Sequence, residues 1–116
     1  MGIYSFLFNI FLTDPFDGGW QYKNIFGSTN EVLLFDGGKC WIYDSGDHPF
    51  SVSYKVEKKS SDSYRVTFIK DGGASMAFLI SFKDKDTINL AAEGSTDVNT
   101  MTRIGKPMAK SIMGIN

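Results

Sequence analysis

Residues 50–82 read FSVSYKVEKKSSDSYRVTFIKDGGASMAFLISF, and this stretch decides the fold. Phe50, Val52, Tyr54 and Val56 alternate with Ser51, Ser53, Lys55 and Glu57. That is a period of two, which gives a strand one apolar and one wet face. Ser60-Ser61-Asp62 interrupts it, and Tyr64, Val66 and Phe68 then alternate with Arg65 and Thr67. Asp71-Gly72-Gly73 interrupts again before a third stripe, Met76, Phe78, Ile80 and Phe82. Helical spacing does not reproduce these stripes. Strands joined by such short turns pair antiparallel with their neighbours, and Asp-Gly supplies the positive φ that tight hairpin turns demand.

The same rhythm extends in both directions. Turn signals recur at Asp17-Gly18-Gly19, Asp36-Gly37-Gly38, Asp44-Ser45-Gly46-Asp47, Lys83-Asp84-Lys85-Asp86 and Glu93-Gly94-Ser95. Ile88, Leu90 and Ala92 continue the alternation opposite Thr87 and Asn89. The pattern predicts strands at 19–26, 30–36, 39–44, 49–59, 63–70, 74–83, 86–92 and 97–104. A meander of that many strands leaves two unpaired edges unless it closes. The expected fold is therefore all-β, an eight-stranded antiparallel up-and-down barrel in a single domain, 1–116. A two-sheet sandwich of the same strands is the alternative.

Helix is expected only at the ends. The apolar run Ile3 to Leu12 suits a short helix or a strand, with Asp14-Pro15 as its stop. It is about half the length a membrane helix needs. It lacks the positive n-region and small-residue cleavage site of a signal peptide. Met1-Gly2 is followed by Phe6 where a myristoylation site wants Ser or Thr. We expect this run to pack on the domain. At the other end Pro107 suits a helix first turn, with Met108, Ile112 and Ile115 on one face. Either end could plug a barrel mouth or cover a seam.

The 116 residues are 42% hydrophobic and 15% aromatic, enough for a core without a metal or disulfide staple. Twelve basic and 13 acidic side chains are mixed along the chain, for a net charge of −1. That balance argues against nucleic acid or an anionic membrane surface as partner. The single cysteine, Cys40, excludes an intramolecular disulfide and favours a reducing, cytoplasmic compartment over a periplasmic or secreted one.

Candidate chemistry is thin. Cys40 and His48 could form a thiol–imidazole pair only within hydrogen-bond reach, and a Cys beside Trp41 reads first as a small core residue. Asp44, Asp47 and His48 share one loop, but their spacing matches neither an EF-hand nor a zinc pattern, and Asp in turns usually bonds its own backbone. Asp36-Gly37-Gly38 and Asp71-Gly72-Gly73 lack the Gly-Lys-Ser/Thr ending of a phosphate loop. No catalytic residues, cofactor or metal are expected.

Gly18-Gly19-Trp20, after a short apolar segment, resembles the first strand of a lipocalin-like domain. Thr100-Met101-Thr102-Arg103-Ile104 is similar to the end of that family's last strand. The resemblance covers residues 14–104 and is nearest the small bacterial lipocalin-like domains. It implies a barrel in which Arg103 lies across Trp20 and closes one end, a contact worth roughly 0.5–2 kcal/mol.

Two functions follow as expectations. The first is a non-enzymatic barrel holding a small apolar or amphipathic ligand. Its lining would come from Phe50, Val52, Tyr54, Tyr64, Val66, Phe68, Met76, Phe78 and Ile80, although a barrel of this size can equally be filled by its own side chains. Trp41 and Tyr43 fit either face of their strand. The second is a cytoplasmic immunity or inhibitor protein that blocks a toxin or enzyme, with Asp44, Asp47 and His48 as partner-binding loop. Phe16, Phe26 and Phe35 fall near strand ends, where they would cap the barrel or mark a partner surface.

Overall fold

The computed structural model describes residues 15–23, 30–44 and 47–115. The strands are β1 (Gly18–Lys23), β2 (Asn30–Asp36), β3 (Lys39–Asp44), β4 (Phe50–Lys58), β5 (Ser63–Ile69), β6 (Ser75–Asp84), β7 (Thr87–Ala92) and β8 (Asn99–Ile104). Each pairs antiparallel with the next, and β1 pairs with β8, so the sheet closes into an eight-stranded up-and-down barrel. The closing register sets Gly19 opposite Ile104, Trp20 opposite Arg103 and Gln21 opposite Thr102. Gly37-Gly38 joins β2 to β3 in two residues, with φ of 62° and 85°. Positive φ at both central residues matches the twist of the strands they join.

Two layers of apolar packing follow from the pleat. Inside the barrel, Trp20, Leu33, Phe35, Cys40, Val52, Val66, Phe68, Ile80, Ile88 and Met101 form one core, together with Phe16 from the segment before β1. Outside it, Val32 and Leu34 form a second core with Ala109 and Met113. These last two belong to α1 (Lys106–Met113), which packs across the outer face of β1 and β2. Pro107 lies in its first turn, and Gly114, at φ 75°, ends it with a left-handed cap.

The helix face and the first turn are corrected here. Of the two places expected for the C-terminal helix, it takes a seam, on the outer face of β1 and β2, and not a mouth. Its packed face is Ala109 and Met113, flanked by Ile112 and Ile115, whereas Met108 is 56% exposed. Met108 precedes Ala109 by one position, and one residue turns a helix by about 100°. Gly18 and Gly19 are not a turn but the first residues of β1. Trp41 and Tyr43 face outward, against the helix cluster. Residues 3–12, the end of the first expected strand at 24–26 and Phe26 lie outside the described residues.

Gly19 explains how the helix comes so close. A Cβ there would lie 2.9 Å from both Ala109 Cβ and Ile104 Cγ1. Lys106 then pins the helix start, its Nζ 3.0 Å from Asp17 Oδ2 and 3.2 Å from Asp36 Oδ1. Gly19→Ala is expected to push α1 off the barrel and cost about 1–3 kcal/mol, as overpacking does. Urea denaturation measures the loss, and Ala109→Gly in the same chain should restore part of it by removing one of the two close atoms.

Candidate functional site

The two ends of the barrel differ. At the end where β1 begins, aromatic rings fill the interior. Phe16 inserts there, with ring centroids 5.7 Å from Phe35, 4.9 Å from Tyr64 and 5.8 Å from Phe82. Trp20 lies beside them, edge-on to Phe82 at 5.9 Å, and its Nε1–H donates to the Phe16 carbonyl at 2.8 Å. The Arg103 guanidinium sits over the Trp20 ring, 4.3 Å from its centroid. Arg103 also donates to the carbonyls of Asp17 at 3.0 Å, Pro15 at 3.3 Å and Lys85 at 2.9 Å, and its Nε is 3.2 Å from Asp86 Oδ1. One side chain thus ties the entry segment, the β6–β7 turn and the last strand together. This end is closed.

Toward the other end the rings no longer fill the interior. Phe68 stacks on Phe35 at 6.2 Å and touches Phe78 at 5.2 Å, and above them a cavity of about 430 Å³ opens. Its walls are Leu33, Ile42, Val52, Phe68, Phe78 and Leu90. Its rim holds Phe50, Met76, Lys70, Glu31 and Asn99. The size and the apolar lining with a few polar groups are those of small-molecule sites. A larger trough of about 590 Å³ crosses the outer face of β5, β6 and β7, past Ser63, Leu79, Ser81, Asn89, Ala91 and Val98. Small polar side chains make up much of its floor, so it offers an apolar ligand less than the barrel mouth does.

The residues expected to line the interior divide between these regions. Val52, Phe68 and Phe78 wall the cavity. Tyr54, Tyr64, Val66 and Ile80 belong to the packed core below it. Phe50 and Met76 keep the inward register but sit at the rim, 46% and 57% exposed, because their strands begin there. Leu33, Ile42 and Glu31 were not anticipated as lining residues. The signal that finds them is the cross-strand register, Trp20 opposite Leu33 and Leu33 opposite Ile42, which carries the inward face from β1 to β3.

Among the described residues of the mouth, Glu31 is the half-buried carboxylate. It follows the inward face two residues before Leu33, directly opposite Asp44 on β3. Burial, and then the charge of Asp44, hold its carboxyl above the usual carboxylate range. Across the rim, the Lys70 ammonium lies 5.7 Å from the Phe50 ring centroid.

Asp44, Asp47 and His48 lie at this same end and are exposed. The Asp47 N–H donates to the Asp44 carbonyl at 3.0 Å, which is turn chemistry. Cys40 is not beside His48. It is fully buried toward the closed end, its Sγ–H directed at the Trp41 carbonyl at 3.7 Å, and burial pushes the thiol's pKa up. A thiol so held is protonated at neutral pH and is a poor nucleophile.

No family model and no curated protein matches the sequence. Among solved structures, the crystal structure of Treponema pallidum Tp0751 (Pallilysin) is similar, with a TM-score of 0.58 over 89% of this chain and 93% of that one, at 13% identity. The likeness is one of fold. It gives the antiparallel barrel a solved counterpart of nearly the same extent. Among the described residues, no helix is long and apolar enough to cross a membrane.

Proposed function

We propose that this protein is a non-enzymatic binding barrel of lipocalin-like type that takes a small apolar or amphipathic molecule through its open end. The observation that carries the proposal is the apolar cavity of about 430 Å³ above a solid aromatic floor. The lipocalin-like part is supported by Gly18-Gly19-Trp20 on the first strand and by Arg103 of the last strand lying over Trp20. A ligand in the cavity would cover Phe50 and Met76, which otherwise expose apolar surface at about 25 cal/mol per Å².

Filling the cavity from its own wall tests this. Leu90→Trp adds an indole to the mouth without touching the aromatic floor. Titration with the neutral dye Nile red should show enhanced fluorescence in the natural chain and about tenfold weaker binding in Leu90→Trp, a change of roughly 1.4 kcal/mol. Leu79→Ala, in the outer trough, should leave binding unchanged. Dye binding that Leu79→Ala weakens and Leu90→Trp does not would place the site outside the barrel.

A second reading, a partner-blocking protein that uses Asp44, Asp47 and His48, draws on the exposure of those residues at the mouth. It competes for the same end of the barrel.

A further inference from the structure

The mouth is apolar in its walls and acidic at its edge. Glu31 projects into the cavity half-buried and faces a second carboxylate, Asp44, across the β2–β3 ladder. Like charges directly opposite on a sheet are destabilising, and among the described residues no cation forms an ion pair with either. Neither carboxylate caps a turn or pins a strand through its side chain in the described residues. A barrel that only needed to close would be more stable with a neutral or apolar side chain at position 31. The turns at the same end add Asp47, Asp71 and Asp97, all exposed. The described cation of the rim, Lys70, is stacked over Phe50 on the other side of the opening.

Resting on the ligand-binding reading above, we infer that the occupant is an amphiphile with a cationic head, its tail against Leu33, Ile42, Val52 and Leu90 and its head at Glu31. A single ammonium there satisfies Glu31 and relieves its repulsion with Asp44, which a neutral or anionic head cannot do. Burial and the charge of Asp44 already raise the Glu31 carboxyl, and perturbed groups in a cleft are where ligand chemistry concentrates.

The test uses three probes with one tail: octylammonium, 1-octanol and octanoate, titrated calorimetrically at neutral pH and equal ionic strength. The inference expects octylammonium to bind about tenfold tighter than octanol, with octanoate weakest. Glu31→Gln, which keeps the side-chain shape, should bring the amine down to the alcohol's affinity, whereas Leu79→Ala in the outer trough should leave the order of the three probes unchanged. Equal binding of all three, or an amine advantage that survives Glu31→Gln, overturns the cationic head while the apolar cavity stands. Octanoate binding tightest overturns it in favour of Lys70 as anchor. No binding by any probe up to its solubility limit overturns the ligand-binding reading itself.

Discussion

Phe16→Ala should destabilise the barrel by about 3–5 kcal/mol, the cost of removing a fully buried ring from a core that cannot collapse around the gap. The ring touches Phe35, Tyr64 and Phe82, which belong to three different strands. Those strands are fixed by the barrel hydrogen bonds, so the void stays open. The backbone carbonyl of residue 16 remains, so the Trp20 Nε1–H keeps its acceptor and the loss isolates the ring. Against a total stability of roughly 5–15 kcal/mol, this is among the largest single effects available in the chain. Urea denaturation with an unchanged slope would report it as a shift in midpoint. A loss below about 1 kcal/mol would mean that the entry segment does not plug the barrel in solution.

The second large effect is at Arg103. Its removal deletes the cation over Trp20 and charge-assisted donation to three carbonyls. The stacking contributes about 0.5–2 kcal/mol. Each charge-assisted bond would add about 1.5–3 kcal/mol if dry, but the side chain is part-exposed and those figures must be discounted heavily for solvent. We expect Arg103→Ala to cost about 3 kcal/mol in all. Arg103→Lys should recover only a minority of that, because an ammonium cannot fork to carbonyls on separate segments. Asp86→Asn, which removes only the exposed ion-pair partner, should cost less than about 0.5 kcal/mol. Equal losses for Arg103→Ala and Asp86→Asn would make the ion pair, not the stacked fork, the closing device.

How much of this was legible before the structure depends on which face of each strand is buried. In β4 to β7 one face meets the interior and the other meets water, so alternation declares both the strand and its inward residues. β2 is different. Val32-Leu33-Leu34-Phe35 is apolar throughout, because Leu33 and Phe35 point into the barrel while Val32 and Leu34 lie under α1. Periodicity cannot choose a face in such a run, and Trp41 and Tyr43 on β3 were ambiguous for the same reason. On α1 the bulky Met108 suggests a packed face that the helix does not use, because the small Ala109 is what fits against Gly19.

The site was legible in part. Val52, Phe68 and Phe78 could be read as inward residues, but nothing in the sequence divides the interior into a filled floor and an open mouth. That division depends on Phe16, which precedes the first strand, and on how far each strand extends past the aromatic layer. Glu31 was hidden for a related reason. A polar residue at the start of an apolar strand reads as a solvated end, and only the register with Asp44 and Leu33 turns it inward.

The most direct test of the open mouth is a methyl-detected NMR titration with 1-octanol, a probe that carries no charge. The account predicts shifts confined to the methyls of Leu33, Ile42, Val52, Met76 and Leu90, which line the cavity and its rim. Shifts centred on Leu79 and Val98 in the outer trough, or no shifts at saturation with the alcohol, would contradict it.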